Sequence, residues 1–319
     1  MEDIEIAVVG AGPAGLSAAL YAARFCRRTS VLHNGTSRAS RIPRTYNVSG
    51  FQNGIAGPEL LDRMREHAEE FGANLISANI VSAVVGQSGF RLNDDQGQSW
   101  TARAVILATG LELNEIPIDR DVHEAAIAHS VLRYCPICDG YEHRDKRIAV
   151  VGFSTTGAAE ALFLRTFSDQ VTLLPKENAE LTAQQRRELA QAGISVIPNP
   201  VSHYAPDDTG MTIWLQGGAP PLRFDIVYPA LGCQPRNQIA MELGLDINED
   251  GKVSARAPLG TNVPGLFCAG DIVEGLDQIS VAIGHGAVAA TRAHNWLRER
   301  DGETIQAVLS SGTNPAAAG

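Results

Sequence analysis

Ile4-Glu5-Ile6-Ala7-Val8-Val9-Gly10-Ala11-Gly12-Pro13-Ala14-Gly15, followed by the alanine-rich stretch Leu16 to Phe25, decides the fold of this chain. The short apolar run reads as a strand buried on both faces. The glycines that follow form G-x-G-x-x-G between strand and helix, where that pattern marks a dinucleotide site. Gly10 permits the tight turn, Gly12 lets backbone N–H groups approach a pyrophosphate, and Gly15 lets the helix pack on the strand. The next strand, Arg28 to Leu32, ends at His33-Asn34 without the acidic residue that completes the fingerprint.

The pattern then repeats. Ile6-Ala7-Val8-Val9-Gly10 recurs as Ile148-Ala149-Val150-Val151-Gly152, and at the same offset Gly15 becomes Gly157. The reading is α/β, with two Rossmann-like dinucleotide-binding domains, the second inserted into the first. The second phosphate turn is altered: Ala11 becomes Phe153 and Gly12 becomes Ser154. Its second strand, Gln170 to Leu174, ends in Pro175-Lys176-Glu177, without an Arg pair to read an NADP 2′-phosphate.

Just ahead of the second unit stands Tyr134-Cys135-Pro136-Ile137-Cys138-Asp139-Gly140. A C-x-x-C before a βαβ pattern points to a redox disulfide. A helix beginning at the second cysteine would favour its thiolate. The alternative is half a zinc site. Structural zinc takes four ligands, whereas Cys26, Cys233 and Cys268 are isolated and no His pair follows.

Composition is that of a globular protein, with 319 residues, 44% hydrophobic and 19% charged. That length accommodates two domains, each with its own core. A net charge of −10 without any Lys/Arg stripe argues against nucleic acid as a partner. No apolar run reaches the roughly 18 residues of a membrane span, and the acidic start Met1-Glu2-Asp3 is unlike a signal peptide. A cytoplasmic location is expected, where a disulfide is catalytic more often than structural. No metal is expected.

Pro58 to Gly72 has helical spacing. Ala104 to Gly110 is a buried strand ending in the small residues Ala108-Thr109-Gly110, where backbone can approach a ligand, and Ile226 to Gly232 mirrors it in the second unit. Ala269-Gly270-Asp271 ends a later strand, with Asp271 placed to bond a ribityl or ribose hydroxyl. Gln278 to Leu297 is helical, and His285 reads as a packing residue. Residues 310–319 read as a disordered tail.

Together the Gly10 to Gly15 turn, Asn47-Val48-Ser49-Gly50, Ala108-Thr109-Gly110, Cys135 to Gly140 and Ala269-Gly270-Asp271 resemble the low-molecular-weight thioredoxin reductase family. The likeness spans nearly the whole chain and includes the order of the motifs. It implies FAD in a split domain, 1–114 with 246–319, and a domain at 115–245 that carries the disulfide and, in most members, NADPH. The cofactor-binding set it implies is Gly10, Ala11, Gly12, Pro13, Ala14, Gly15, Asn34, Asn47, Ala108, Thr109, Gly110, Gly270, Asp271, Gln278 and Ile279. By the same resemblance Cys138 lies against the flavin, Cys135 exchanges with substrate, and Asp139 moves the proton. A homodimer acting on a thioredoxin-like protein or a small dithiol/disulfide is implied as well.

The chain also departs from that family. NADPH-using members carry a Gly-rich second turn and a His-Arg-Arg-type strand end, where this chain has Gly152-Phe153-Ser154 and Leu174-Pro175-Lys176. Asp277 stands where the family has Arg before the flavin-facing Gln278. NADPH is therefore expected to be a poor donor, and a second FAD is one possible occupant of the altered site. The alternatives are a diflavin or ferredoxin-linked branch and a dithiol oxidase, although many dithiol oxidases carry His at the position of Asp139. A redox-sensing flavoprotein without turnover is the alternative of another class.

Overall fold

The computed structural model describes residues 4–152, 155–176, 181–255 and 260–304. These fall into two compact units. The first gathers the described parts of 4–40, 58–111 and 235–304, and the second those of 41–57 and 112–234. The expected boundaries were 114/115 and 245/246; the chain crosses instead at 111/112 and 234/235. The return is earlier because Arg236 N–H already bonds Gly110 O at 3.0 Å. Residues 41–57 join the second unit because Arg41 is ion-paired to Glu115 and Glu124. The expected tail at 310–319 lies outside the described residues.

In the first unit the strands Asn74–Ser77, Thr29–His33, Ile4–Val9 and Ser99–Leu107 lie side by side in parallel. Gly89–Asp94 and Ile80–Gly86 continue the sheet antiparallel, and Leu266–Cys268 pairs on Ser99–Leu107. The strand Ile4–Val9 is buried throughout. Ala7 and Val9 point into one core, while Ile6 and Val8 point into the other, so both faces are covered. On the second face the helices Pro13–Arg24 and Ile279–Arg300 pack through alanines. The approach is close: a Cβ on Gly286 would stand 2.2 Å from Ala14 O. Gly286 thus serves helix packing.

The second unit repeats this order with Ser195–Val196, Val171–Leu174, Ile148–Val151 and Ile226–Pro229 in parallel. The three antiparallel strands before the last of these form a sheet of their own, Val201–Asp207, Gly210–Leu215 and Leu222–Phe224. Equivalent bonds hold both turns, Gly10 N–H to Leu32 O at 2.9 Å and Gly152 N–H to Leu174 O at 2.8 Å. The two Rossmann-like domains inferred from the sequence are present, the second interrupting the first.

Both turns depend on glycine for the same steric reason. Gly10 has φ +109° and Gly152 has φ +147°. A Cβ on Gly10 would lie 2.4 Å from Ala108 O, and one on Gly152 2.5 Å from Ala230 O. On the helix side, a Cβ on Gly15 would sit 1.9 Å from Gly10 O, and one on Gly157 1.8 Å from Gly152 O. No side chain fits there without moving the helix off its strand. Gly157→Ala is accordingly expected to destabilise the protein by about 1–3 kcal/mol. Gly284→Ala, at an open position within Ile279–Arg300, is expected to stabilise by about 0.5–1 kcal/mol. Urea denaturation of the two variants checks both signs.

Candidate functional site

The redox turn builds itself from local sequence. Cys135 is extended at φ −148° and caps the one-turn helix Pro136–Asp139. Pro136 at the first helical position has its φ preset and lacks only an N–H that would be unpaired there anyway. Cys138 N–H donates to Cys135 O at 2.9 Å, and Gly140 N–H to Pro136 O at 2.9 Å. The Cα atoms of Cys135 and Cys138 stand 5.2 Å apart and their sulfurs are bonded, a separation within the usual disulfide range. Both sulfurs are therefore committed to each other, and the zinc alternative falls. The helix begins one residue after Cys135, not at Cys138, because the proline fixes its first residue; a single turn also has little dipole to offer a thiolate.

Asp139 is buried, with both carboxylate oxygens engaged. Arg133 Nε donates to Oδ2, and Tyr228 hydroxyl donates to Oδ1 at 2.7 Å. Tyr228 comes from the strand Ile226–Pro229. Arg133 reaches it because its segment runs beside that strand, with Arg133 N–H bonding Val227 O at 3.0 Å and Val227 N–H bonding Val131 O at 2.8 Å. Burial, reinforced by the Asp139 charge, pushes the Tyr228 phenol far above its usual range. His143, whose ring centroid is 6.3 Å from that of Tyr228, is lowered by burial, with Asp139 pulling the other way.

A second polar network precedes the disulfide. Tyr134 hydroxyl lies 2.7 Å from His123 Nε2, and Arg41 Nη2 is 3.0 Å from His123 Nδ1. A guanidinium only donates, so Nδ1 accepts and the proton sits on Nε2. Burial lowers the pKa of His123 and keeps it in this neutral form.

In the first unit the glycine turn opens the helix Pro13–Arg24. Gly12 caps it with no side-chain hydrogen bond and no acid follows in the first turn, which suits an anion at the helix N-terminus. Ala11 lies within this turn. Gly270 (φ +78°) passes the same helix, where an added Cβ would stand 2.8 Å from Ala14 Cβ. Ala108 backs onto Gly10, Thr109 hydroxyl donates to Arg236 O at 2.7 Å, and Gly110 has φ +68°. Gln278 caps the helix that starts at Ile279. Asn34 accepts from Thr36 N–H and hydroxyl in a local turn. Asn47, bonded by Thr45 hydroxyl at 2.8 Å, belongs to the second unit. The first-unit features fit a dinucleotide such as FAD: a turn held tight by Gly10 and Gly15, an open Gly12, and an uncapped helix N-terminus with no acid in its first turn.

Asp271 lies in the single turn Gly270–Ile272 that passes the same helix. It is largely buried, and burial raises its pKa despite the nearby Arg38. Arg38 pairs with it at 3.1 Å and also donates to Asp277 O at 3.4 Å, while Lys252 pairs with Asp277 at 2.6 Å. The sequence reading missed Arg38 and Lys252. The one available signal was Asp277 itself, an acid standing where the family has a cation. His285 fits the packing reading in part, but its Nδ1 is buried without a hydrogen-bond partner among the described residues.

In the second unit the glycine frame of the first survives at Gly152 and Gly157, whereas Phe153, Ser154 and Glu177 lie outside the described residues. Lys176 is exposed after the strand Val171–Leu174. Glu160, on the helix Thr155–Leu164, is partly buried and its carboxyl is pushed up to about 7 by desolvation alone.

A family described as pyridine nucleotide-disulphide oxidoreductase matches residues 4–286. The chain is 32% identical over 310 residues to a thioredoxin reductase of Streptomyces clavuligerus, covering 93% of this chain and 95% of that one. It is 35% identical over 314 residues to a bifunctional thioredoxin reductase/thioredoxin of Mycobacterium leprae (strain TN), covering 93% of this chain and 67% of that one. The crystal structure of HlmI superposes with a TM-score of 0.86 at 27% identity, covering 98% of each chain.

Glu160 yields a pH test of the second unit. Its folded pKa of about 7 stands above the ordinary 4.5, so the folded state binds the proton more tightly and ionisation opposes folding. The penalty is absent below pH 4.5, grows as pH rises toward 7, and is complete above that. Glu160→Gln is expected to stabilise the protein by roughly 2 kcal/mol at pH 8 and not at all near pH 4. Denaturation midpoints across that range check it.

Proposed function

The chain belongs to the pyridine nucleotide-disulphide oxidoreductase family and is a thioredoxin reductase-like, FAD-dependent disulfide oxidoreductase; from that premise we propose that it passes electrons between flavin and the Cys135–Cys138 pair, and on to or from a thioredoxin-like protein or a small dithiol/disulfide. The observation that carries this reading is the disulfide itself, closed on a one-turn helix that ends at a buried carboxylate. The Mycobacterium leprae relative, a reductase and thioredoxin in one chain, supports a thioredoxin-like partner. A homodimer in the cytoplasm is part of the same proposal.

The residues divide the work as follows. Gly10 to Gly15 would hold the FAD pyrophosphate at the helix N-terminus. Asp271 would accept from a ribityl or ribose hydroxyl, and Ala108 to Gly110, Gly270, Gln278 and Ile279 would line the rest, with Asn34 and Asn47 as further contacts. FAD, when bound, supplies two-electron storage. In this reading Cys138 would exchange electrons with that store, Cys135 would attack or release the substrate sulfur, and Asp139 would govern the proton at Cys138.

NADPH is proposed to be a poor donor. Ser154 adds a side chain where Gly12 has none, and Lys176 replaces an Arg pair with a single point charge. Each loss is worth about 1–3 kcal/mol, and together they weaken binding by about a hundredfold or more. That favours a donor other than NADPH: a dithiol, a ferredoxin-type protein, or a second FAD in the altered site.

Anaerobic mixing tests both parts. A dithiol is expected to bleach or shift the flavin band of the yellow protein, while micromolar NADPH or NADH acts slowly. Cys138→Ser should keep its flavin and lose disulfide exchange by at least about 10²-fold. Protein that cannot be loaded with FAD would sink the reading, and rapid saturable reduction by NADPH would sink the donor proposal. A flavin-to-protein ratio near two would identify the second FAD.

A further inference from the structure

The carboxylate that ends the redox turn is held from two sides by groups that do not readily surrender a proton. Arg133 comes from the segment before the turn and Tyr228 from a neighbouring strand, and together they occupy both oxygens of Asp139. All three side chains are buried, Tyr228 completely. A guanidinium stays charged throughout the accessible pH range, and burial keeps the phenol protonated. Both partners therefore go on donating whatever the state of the cysteines. A buried ion pair of this kind is costly to break, because loss of one member strands the other.

The remaining charged groups around the turn come from two places. His143, Glu142 and Lys146 lie on the segment that follows it. Glu160 lies on the helix Thr155–Leu164, which packs against the turn. Phe167 closes the side at Gly140, where an added Cβ would stand 2.7 Å from its ring. None of these groups is bonded to the Asp139 carboxylate, whose hydrogen bonds among the described residues come from Arg133 and Tyr228.

We propose that Arg133 and Tyr228 are positioning residues of the redox centre, a clamp that orients the Asp139 carboxyl group next to Cys138 in the chain and sets Arg133's positive charge against the charge that develops when the cysteines become thiolates. The proposal rests on reading Cys135–Cys138 as the redox pair. When an external dithiol reduces that disulfide, two electrons enter the S–S bond, which breaks, and the dithiol leaves as a disulfide. Its two protons go to Cys135 and Cys138 or, where these stay thiolates, to solvent. With the clamp in place the new negative charge meets a neutralised pair. Without Arg133 it meets a lone buried carboxylate, and thiolates form less readily.

The opposite substitutions therefore have opposite signs. Arg133→Met removes the cation and should raise the pH at which the cysteines ionise, whereas Asp139→Asn leaves the cation unpaired and should lower it. Tyr228→Phe removes one donor and should move the profile in the Arg133→Met direction by less. Arg133→Lys should restore much of the wild-type profile.

The test uses the full chain, with its flavin, reduced by excess dithiothreitol and then freed of it. Alkylation of Cys135 and Cys138 by iodoacetamide is followed by peptide mass spectrometry from pH 5 to 10. Arg133→Met is expected to shift the profile upward by about one pH unit, a tenfold lower thiolate fraction on its acidic limb. A merely structural role would lower the melting temperature and leave the profile in place. Superimposable profiles for wild type and a folded Arg133→Met overturn the clamp, as do shifts of the same sign for Arg133→Met and Asp139→Asn. Should Arg133→Met not fold, Tyr228→Phe decides, since it keeps the ring: an upward shift supports the clamp and an unchanged profile overturns it. Alkylation needs no turnover, so absence of disulfide exchange in wild type would overturn the functional reading while leaving the variant shifts readable.

Discussion

In each unit a backbone carbonyl occupies the volume that a Cβ on the first glycine of the strand–helix turn would need, and both turns depend on that contact. Ala108 O presses on Gly10 and Ala230 O on Gly152, while Gly15 and Gly157 let the following helix sit on the carbonyls of those same glycines. This close approach sets the helix N-terminus at the end of the central strand, with no side-chain cap in the first unit. The anion site follows from that steric fact. The second unit keeps the same glycine frame, so the sequence departures that bear on dinucleotide binding, between the glycines and at the end of the second strand, leave the scaffold intact.

The redox turn is local in origin and tertiary in its surroundings. Proline and two short hydrogen bonds bring the cysteines within disulfide range without help from elsewhere. The polar groups on either side are partnered partly by near residues and partly by distant stretches of chain. Tyr134 is satisfied by His123, whose tautomer is dictated by Arg41, and Asp139 is satisfied by Arg133 and Tyr228. Buried polar groups so close to a reactive disulfide demand partners, and the alignment of residues 131–133 with the strand Ile226–Pro229 supplies one of them.

A comparable redistribution of charge surrounds Asp271. The position that carries Arg in the resembling family carries Asp277 here, and positive charge arrives instead from Arg38 and Lys252. Lys252, 25 residues earlier in the chain, brings its charge to Asp277 just before the long helix. Local sequence changed sign while the neighbourhood remained balanced.

The sequence by itself determined the repeated strand–glycine–helix units, the insertion of one into the other and the closure of the cysteine pair. In each case the cause lies within about ten residues: a two-sided apolar strand, glycines spaced for a turn, a proline after a cysteine. Tertiary structure alone decided which partners Asp139, Tyr134 and Asp271 receive, that 41–57 groups with the second unit, and that Gly286 serves helix packing. Those outcomes depend on side chains from separate segments meeting in space, and one chain read in order gives no measure of such meetings. Arg133 is the sharpest case. In sequence it is an unremarked cation two residues before Cys135, and only the pairing of its segment with Val227 turns it toward the carboxylate that ends the redox turn.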